Sequence, residues 1–361
     1  MSRQITPLFL CLVAACARSP DQTDRPAIFY PLPPDVPRVQ YLTSIGSTAD
    51  LPAPRTAWAD FILGPEPTQG QLWKPYGVAM DGTRLFVCDT VLNNVLVFDL
   101  AEGGVKALST NLGADVLRNP INITIAPDGT KYVADALRRQ VVVFGPDDRY
   151  VTSFGEMGDV APCDVVVDGD RLLVADLAGD EIEVRDRLSG ELIGRIGGSG
   201  NEPGQFHSPT NLALGPDGTV RVTDTHNFRV QRLTREGEFI STFGSIGTGF
   251  GNFSRPKGVA VDPEGRVYVV DAAFNNVQIF DENNTLLMFI GGAGPDRSNL
   301  DLPADVEIVT DPDAIALFER HVAPRHRIGH LILVSSQFGE GRVNVYGFLT
   351  DTAAHRAGST P

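Results

Sequence analysis

The chain has 361 residues, 42% of them hydrophobic and 21% charged, a balance that excludes wholesale disorder. Its 37 glycines and 26 prolines favour many short strands and turns over long helices. A formal net charge of −15 repels phosphate backbones, so nucleic acid is excluded as an expected partner, and four cysteines are too few for a disulfide framework.

The first predicted element is an export segment. Arg3 supplies a small positive region, Ile5 to Val13 form a short apolar run, and Ala14 and Ala15 precede Cys16. Such a run is too short for a bilayer core, which needs about 20 apolar residues, but it fits the centre of a signal peptide. Residues 12–16, Leu-Val-Ala-Ala-Cys, resemble the lipobox of bacterial lipoproteins. That resemblance implies a signal peptide over residues 1–15, cleavage before Cys16 and a lipid on its thiol that anchors the protein to the bilayer. Because Ala17 rather than Asp follows, it also implies residence in the cell envelope at the outer membrane. Residues 16–37 then read as the lipidated cysteine and a Pro-rich tether, held extended by Pro20, Pro26, Pro31, Pro33, Pro34 and Pro37.

Beyond the tether one pattern recurs: a proline, two residues, an aliphatic strand, a turn, a second strand ending in Asp, then a third strand. Its prolines stand at 75, 120, 162, 209, 256 and 303, with steps of 45, 42, 47, 47 and 47 residues. Units of this length holding about four short strands specify a β-propeller. Fourth strands are predicted at 150–155, 191–197, 239–244 and 286–291, and the last unit lacks one before the chain ends. Arg38 to Gly46 ends in the same Ile-Gly pair as residues 196–197 and 290–291, which predicts that it completes the last blade. The expectation is an all-β, six-bladed propeller over residues 38–350, closed by its N-terminal strand, with a frayed tail at 351–361. An insertion at 311–330 should start with a short helix from Pro312, capped by Asp311.

Gly204, Phe206 and Pro209 lead into Asn211, while Gly251, Phe253 and Pro256 lead into Gly258; Asp224 and Asn227 precede Val230 and Gln231. These motifs closely resemble NHL repeats, and the likeness runs through roughly residues 38–349. It departs where the family often has Asn-His-Arg, which here is Asn227-Phe228-Arg229. The resemblance implies a propeller used as a protein-interaction scaffold, with an exported partner such as a multihaem cytochrome.

Asp89, Asp135, Asp176, Asp224 and Asp271 recur at one location, as expected of carboxylates that accept turn N–H groups rather than catalyse. Gly77, Asn122, Asp164, Asn211, Gly258 and Asp305 begin the inner strands and should ring one mouth of the channel. Asn122, Asp164, Asn211 and Asp305 offer oxygen ligands of the kind Ca²⁺ takes; otherwise they bind channel water and tie down strand ends. Gluconolactonase-like propellers use acidic and amide groups at such positions for a divalent cation, whereas peptide-amidating lyases use inner-strand histidines that this chain lacks. His321, His326 and His330 are expected to be solvated on the insertion, Cys88 and Cys163 to be free thiols, and no Cys-x-x-Cys-His motif is present to hold haem. The turns between second and third strands carry Leu92, Leu137, Arg138, Arg139, Leu177, Phe228, Arg229 and Phe274, around a mouth bearing Tyr76. They form the predicted partner-binding face, with a positive rim suited to an acidic partner, unless the side chains fold sideways onto neighbouring loops. A membrane-anchored interaction scaffold is therefore favoured over an enzyme, the alternative being a divalent-cation-dependent lyase or hydrolase in the channel.

Overall fold

A computed structural model describes residues 26–52, 70–108, 117–155 and 160–350. The chain opens with β1 (Ile28–Tyr30) and β2 (Val39–Ile45). Blade one follows as β3 (Pro75–Asp81), β4 (Arg84–Asp89), β5 (Asn94–Asp99) and β6 (Val105–Ala107). Blade two is β7 (Pro120–Ile125), β8 (Lys131–Asp135), β9 (Gln140–Phe144) and β10 (Tyr150–Phe154). Blade three is β11 (Pro162–Asp168), β12 (Arg171–Asp176), β13 (Glu181–Asp186) and β14 (Leu192–Gly197). Blade four is β15 (Pro209–Leu214), β16 (Val220–Asp224), β17 (Arg229–Leu233) and β18 (Phe239–Phe243). Blade five is β19 (Pro256–Val261), β20 (Val267–Asp271), β21 (Asn276–Phe280) and β22 (Leu286–Gly291). Blade six holds β23 (Pro303–Val309), β24 (Arg327–Ser336) and β25 (Arg342–Thr350), with helix α1 (Pro312–Phe318) inserted after β23.

Every repeat proline opens an inner strand, where its missing N–H costs the ladder least. Successive inner strands touch around the ring, and β23 meets β3 to close it. The predicted closure is present: β2 lies antiparallel to β25, with Val39 opposite Phe348, Tyr41 opposite Tyr346 and Ile45 opposite Val343. Leu42 and Ile45 thereby enter the seam between blades six and one, against Val78, Leu85, Phe98, Leu333 and Val345.

The segment read as a tether contributes one more strand. Ile28, Phe29 and Tyr30 pair with Tyr41, Gln40 and Val39, so blade six has five strands. Tyr30 packs edge-on to Tyr346, 6.2 Å between ring centroids, and its hydroxyl donates to Ser298 Oγ at 2.9 Å. Three apolar residues framed by prolines are enough once an existing edge offers pairing.

Four of the five recurrent aspartates act as the sequence predicted; Asp224 accepts one loop N–H, from His207 at 2.7 Å, and otherwise binds the side chains of Asn227, Arg229 and Gln231. Asp89 accepts N–H groups from Trp73 (2.6 Å), Lys74 (2.9 Å), Val91 (3.0 Å) and Leu92 (3.0 Å), tying the inter-blade loop to its own turn. Asp271 does the same with Ser254, Arg255, Ala273 and Phe274. Ser336 takes this place in blade six and accepts one N–H, from Asp301 at 3.3 Å. The phenylalanines of the repeat motif are buried, and Phe253 lies against Gly244, whose φ of +87° and contact with that ring leave no room for a side chain. Asp311 caps α1 by accepting from Asp313 (2.8 Å) and Ala314 (3.1 Å), and Ala314 and Phe318 pack into the seam. Cys88 and Cys163 are buried and free. No helix of the described residues is long and apolar enough to cross a membrane; Cys16 lies outside them.

Candidate functional site

Each repeat proline pairs with the residue ending the second strand, as Pro75 with Asp89 and Pro256 with Asp271. The inner-strand starts, the inter-blade loops and the turns between second and third strands therefore share one face, the proline face. Just inside it the predicted ring assembles. A side chain at Gly77 would collide with Asn122, and a Cβ at Gly258 would stand 2.6 Å from the Cα of Asp305, so glycine is required where adjacent blades meet. Asp164 accepts from Val165 N at 2.8 Å and, across to the next blade, from Leu212 N at 2.7 Å. Asp305 reaches Val78 N of blade one at 3.1 Å, and Asn122 accepts from Ile123 N at 2.9 Å. Asn211 differs: it is 1% exposed, and neither amide atom has a partner.

Glu307 joins this ring, although the sequence reading passed over it. It stands two residues beyond Asp305, on the same side of β23, where the other blades carry Ala79, Thr124, Val166, Ala213 and Ala260. Burial pushes Asp305 up to about 7 and, with the charge of Asp305 added, Glu307 up to about 8. Burial also raises Asp164, helped by Asp305 and Glu307. Burial and mutual repulsion therefore keep a share of Asp305 and Glu307 protonated at neutral pH.

This ring predicts a stability slope. Unfolded carboxyls titrate near 4, so between pH 6.5 and 8 the native state binds more protons than the unfolded chain, and stability falls as pH rises. The window lies above that of His330, whose depressed value works in the opposite direction. A Asp305→Asn/Glu307→Gln variant should show a flatter melting temperature from pH 6.5 to 8 than the parent. Equal slopes would remove the ring as the source.

One residue before the ring, at the mouth itself, stand Tyr76, Ile121, Cys163, Thr210, Lys257 and Ala304. Lys257 Nζ donates to the Tyr76 hydroxyl at 2.6 Å and lies 4.5 Å from the Tyr76 ring centroid. Cys163 Sγ bonds to Pro209 O at 3.2 Å. Tyr76 was legible as a mouth residue, whereas Lys257 becomes visible only when the copies are aligned by proline.

The predicted partner face divides. Leu137 (63% exposed), Leu92 and Leu177 project outward. Arg229 does not: it bonds Asp224 at 2.8 Å and the carbonyls of Asn201, Glu202 and Gln205, clamping the loop between blades three and four. Arg139 donates to Val160 O at 3.1 Å, and Arg138 to Gln140 at 3.3 Å. Arg229 is thus engaged internally by Asp224, whereas the Gln140 and Val160 oxygens are neutral and orient Arg138 and Arg139 without cancelling their charge. Phe228, left-handed at φ +55°, turns inward onto the cluster of Val230 and Phe253, and Phe274 is half-buried. Trp73 (58% exposed), Val91 and Phe338 join the exposed leucines instead. They went unread because they lie in loops and turns of irregular sequence.

The histidines need a correction too. His330 is buried on β24, its Nε2 3.0 Å from Tyr268 Oη and its ring stacked 4.7 Å from Phe348. Burial pushes it down to about 4. His326 instead packs against Phe29, and His321 against Phe318, so the trio does not converge. His330 lies within ligand reach of Asp262 and Glu264. Asp262, however, already accepts from Tyr268 Oη at 2.9 Å and pairs with Arg266 Nε at 2.6 Å, which makes it a hydrogen-bonded strut of the wall.

Residues 253–280 match the family model for the NHL repeat, a span that runs from buried Phe253 through Asp271 to Phe280. No curated protein matches the chain. Among solved structures, virginiamycin B lyase from Staphylococcus aureus is similar at 14% identity and a TM-score of 0.53, covering 76% of this chain and 94% of that one. A gluconolactonase from Xanthomonas campestris is similar at 16% identity and a TM-score of 0.56, covering 86% and 98%. A Bacteroides thetaiotaomicron protein of unknown function gives 15% identity and a TM-score of 0.58, covering 86% and 75%. At these identities the likeness is one of fold. The chain is a six-bladed β-propeller carrying an NHL repeat.

Proposed function

We propose that this NHL-repeat propeller is a membrane-anchored lipoprotein of the cell envelope, probing its surroundings as a protein-binding scaffold through the proline face. The observation that supports it is the set of exposed apolar side chains on that face: Trp73, Val91, Leu92, Leu137, Leu177 and Phe338. The opposite face exposes Leu188 and, in the turn between β1 and β2, Leu32 and Val36. Further exposed apolar residues lie on the outer strands, as Val151, Ile193, Ile240, Leu287 and Phe289, and on the loop between blades four and five, as Ile246 and Phe250. Apolar groups gathered around one opening are held in water at a cost that a partner removes. The lipobox-like residues 12–16 support the anchor and a location at the outer membrane; the proposed partner is an exported protein, a multihaem cytochrome being the class the family resemblance suggests. A Trp73→Ser/Leu137→Ser variant should melt within about 2 °C of the parent, since exposed positions contribute little to stability. It should also lose the partner recovered with tagged parent from detergent-extracted membranes, where a haem stain reports a cytochrome. Undiminished recovery would exclude this face.

A second reading, a cation-dependent lyase or hydrolase in the channel, is supported by Asn211. Its unpartnered amide beside Asp164, in a ring with Asn122 and Asp305, is the donor set that Ca²⁺ accepts. If Ca²⁺ binds there, about 1 mM CaCl2 should raise the melting temperature of the parent and leave an Asp164→Asn/Asp305→Asn variant unmoved.

A further inference from the structure

Lysine is scarce here: of the 30 cationic side chains, 26 are arginine and four are lysine. Lys131 and Lys106 both pair with Asp148 at 2.7 Å, and Lys74 extends over the Phe338 ring at 5.9 Å. Lys257 is the fourth. It is 8% exposed, stands at the channel mouth, and among the described residues pairs with no carboxylate; its partner is the Tyr76 hydroxyl at 2.6 Å.

We infer that Lys257 is a reactive amine that captures a small neutral aldehyde or ketone at the channel mouth, with the Tyr76 hydroxyl carrying the protons. This goes beyond the scaffold reading and does not depend on it. An amine withdrawn from water beside other cations is the arrangement that activates lysine toward carbonyl compounds. Burial first, then Arg255 and Lys74, push Lys257 down to about 8, so a sizeable share is neutral near physiological pH. Burial raises the Tyr76 phenol, which therefore keeps its proton and can donate to the neutral amine or accept from the ammonium. The neighbouring Cys163 thiol is also raised by burial and stays protonated, so it does not compete as a nucleophile. Beneath them Asp164, Asp305 and Glu307 line the channel; burial biases them toward the neutral form, so they offer an anionic carbonyl compound no counter-charge.

In the first step the Nζ lone pair forms a bond to the carbonyl carbon. The phenol gives its proton to the carbonyl oxygen and recovers one from nitrogen, leaving a carbinolamine. In the second step the C–O bond breaks and water departs, its oxygen taking a proton from the phenol, which regains the remaining nitrogen proton. Amine and carbonyl become imine and water, with no change in oxidation state.

The test uses the whole protein at pH 7.5 with glyceraldehyde and sodium cyanoborohydride, whose hydride fixes the imine as a stable secondary amine. Peptide mass mapping then follows Lys74, Lys106 and Lys257 separately. Lys257 should be labelled roughly tenfold or more faster than the other two, with a rate that rises through pH 8 rather than pH 10. Tyr76→Phe should slow Lys257 several-fold and leave Lys106 unchanged. Labelling of Lys257 at or below the rate of Lys74 and Lys106 in the parent protein would overturn the assignment, a comparison that needs no variant to fold.

Discussion

A chain that begins at residue 50 is expected to melt at least about 15 °C below the full-length protein, or to lose its cooperative transition. The deletion removes β1 and β2, and with them the buried Tyr30, Val39, Tyr41, Leu42 and Ile45. Burial of a large apolar side chain is worth about 1.5–3 kcal/mol, so the five together approach the whole stability of an ordinary domain, about 5–15 kcal/mol. The backbone of β25 is also left as an open edge in blade six. Circular dichroism melts of the two proteins measure the difference. An unchanged midpoint would mean that β2 decorates a ring that is already closed.

Replacing a recurrent aspartate should produce the second large effect. Asp271→Ala leaves four backbone N–H groups without their acceptor in a largely buried corner. Each orphaned group costs about 1–3 kcal/mol, and relaxation toward water recovers part, so a loss of roughly 3–5 kcal/mol is expected. Ser336→Ala supplies the contrast, since Ser336 accepts from Asp301 alone at 3.3 Å; its cost should stay below about 1.5 kcal/mol. Urea midpoints of the two variants compare them directly. Similar losses would show that the carboxylates stabilise by something other than the bonds they accept.

The propeller was legible because a proline opens every inner strand pair and an aspartate closes five of the six, and both have local physical reasons. Closure was legible from Ile45 and Gly46, which repeat the ending of other fourth strands. Tyr30 was not, because a three-residue strand framed by prolines has too little pattern to separate it from an extended linker. At the site, Asn122, Asp164, Asn211 and Asp305 could be placed by register alone, since an inner strand fixes which residues face the channel. Arg229 misled for the opposite reason: a turn position sets where a side chain begins, and only the neighbouring carbonyls of residues 201, 202 and 205 decide where it ends. His330 misled in the same way, because β24 begins earlier than the hydrophobic run suggested and carries it into the wall.

Blade six joins the first and last strands of the described residues, and this gives the ring one mechanically weak line. Tension applied at residue 26 first loads β1, then reaches β2 and its hydrogen bonds to β25. The other blades are each built from one continuous stretch of chain and have no end on which such a load can act. A pull from the N-terminus therefore parts the molecule between its first and last strands, baring Leu42 and Ile45 and the apolar seam beneath them before any other blade yields.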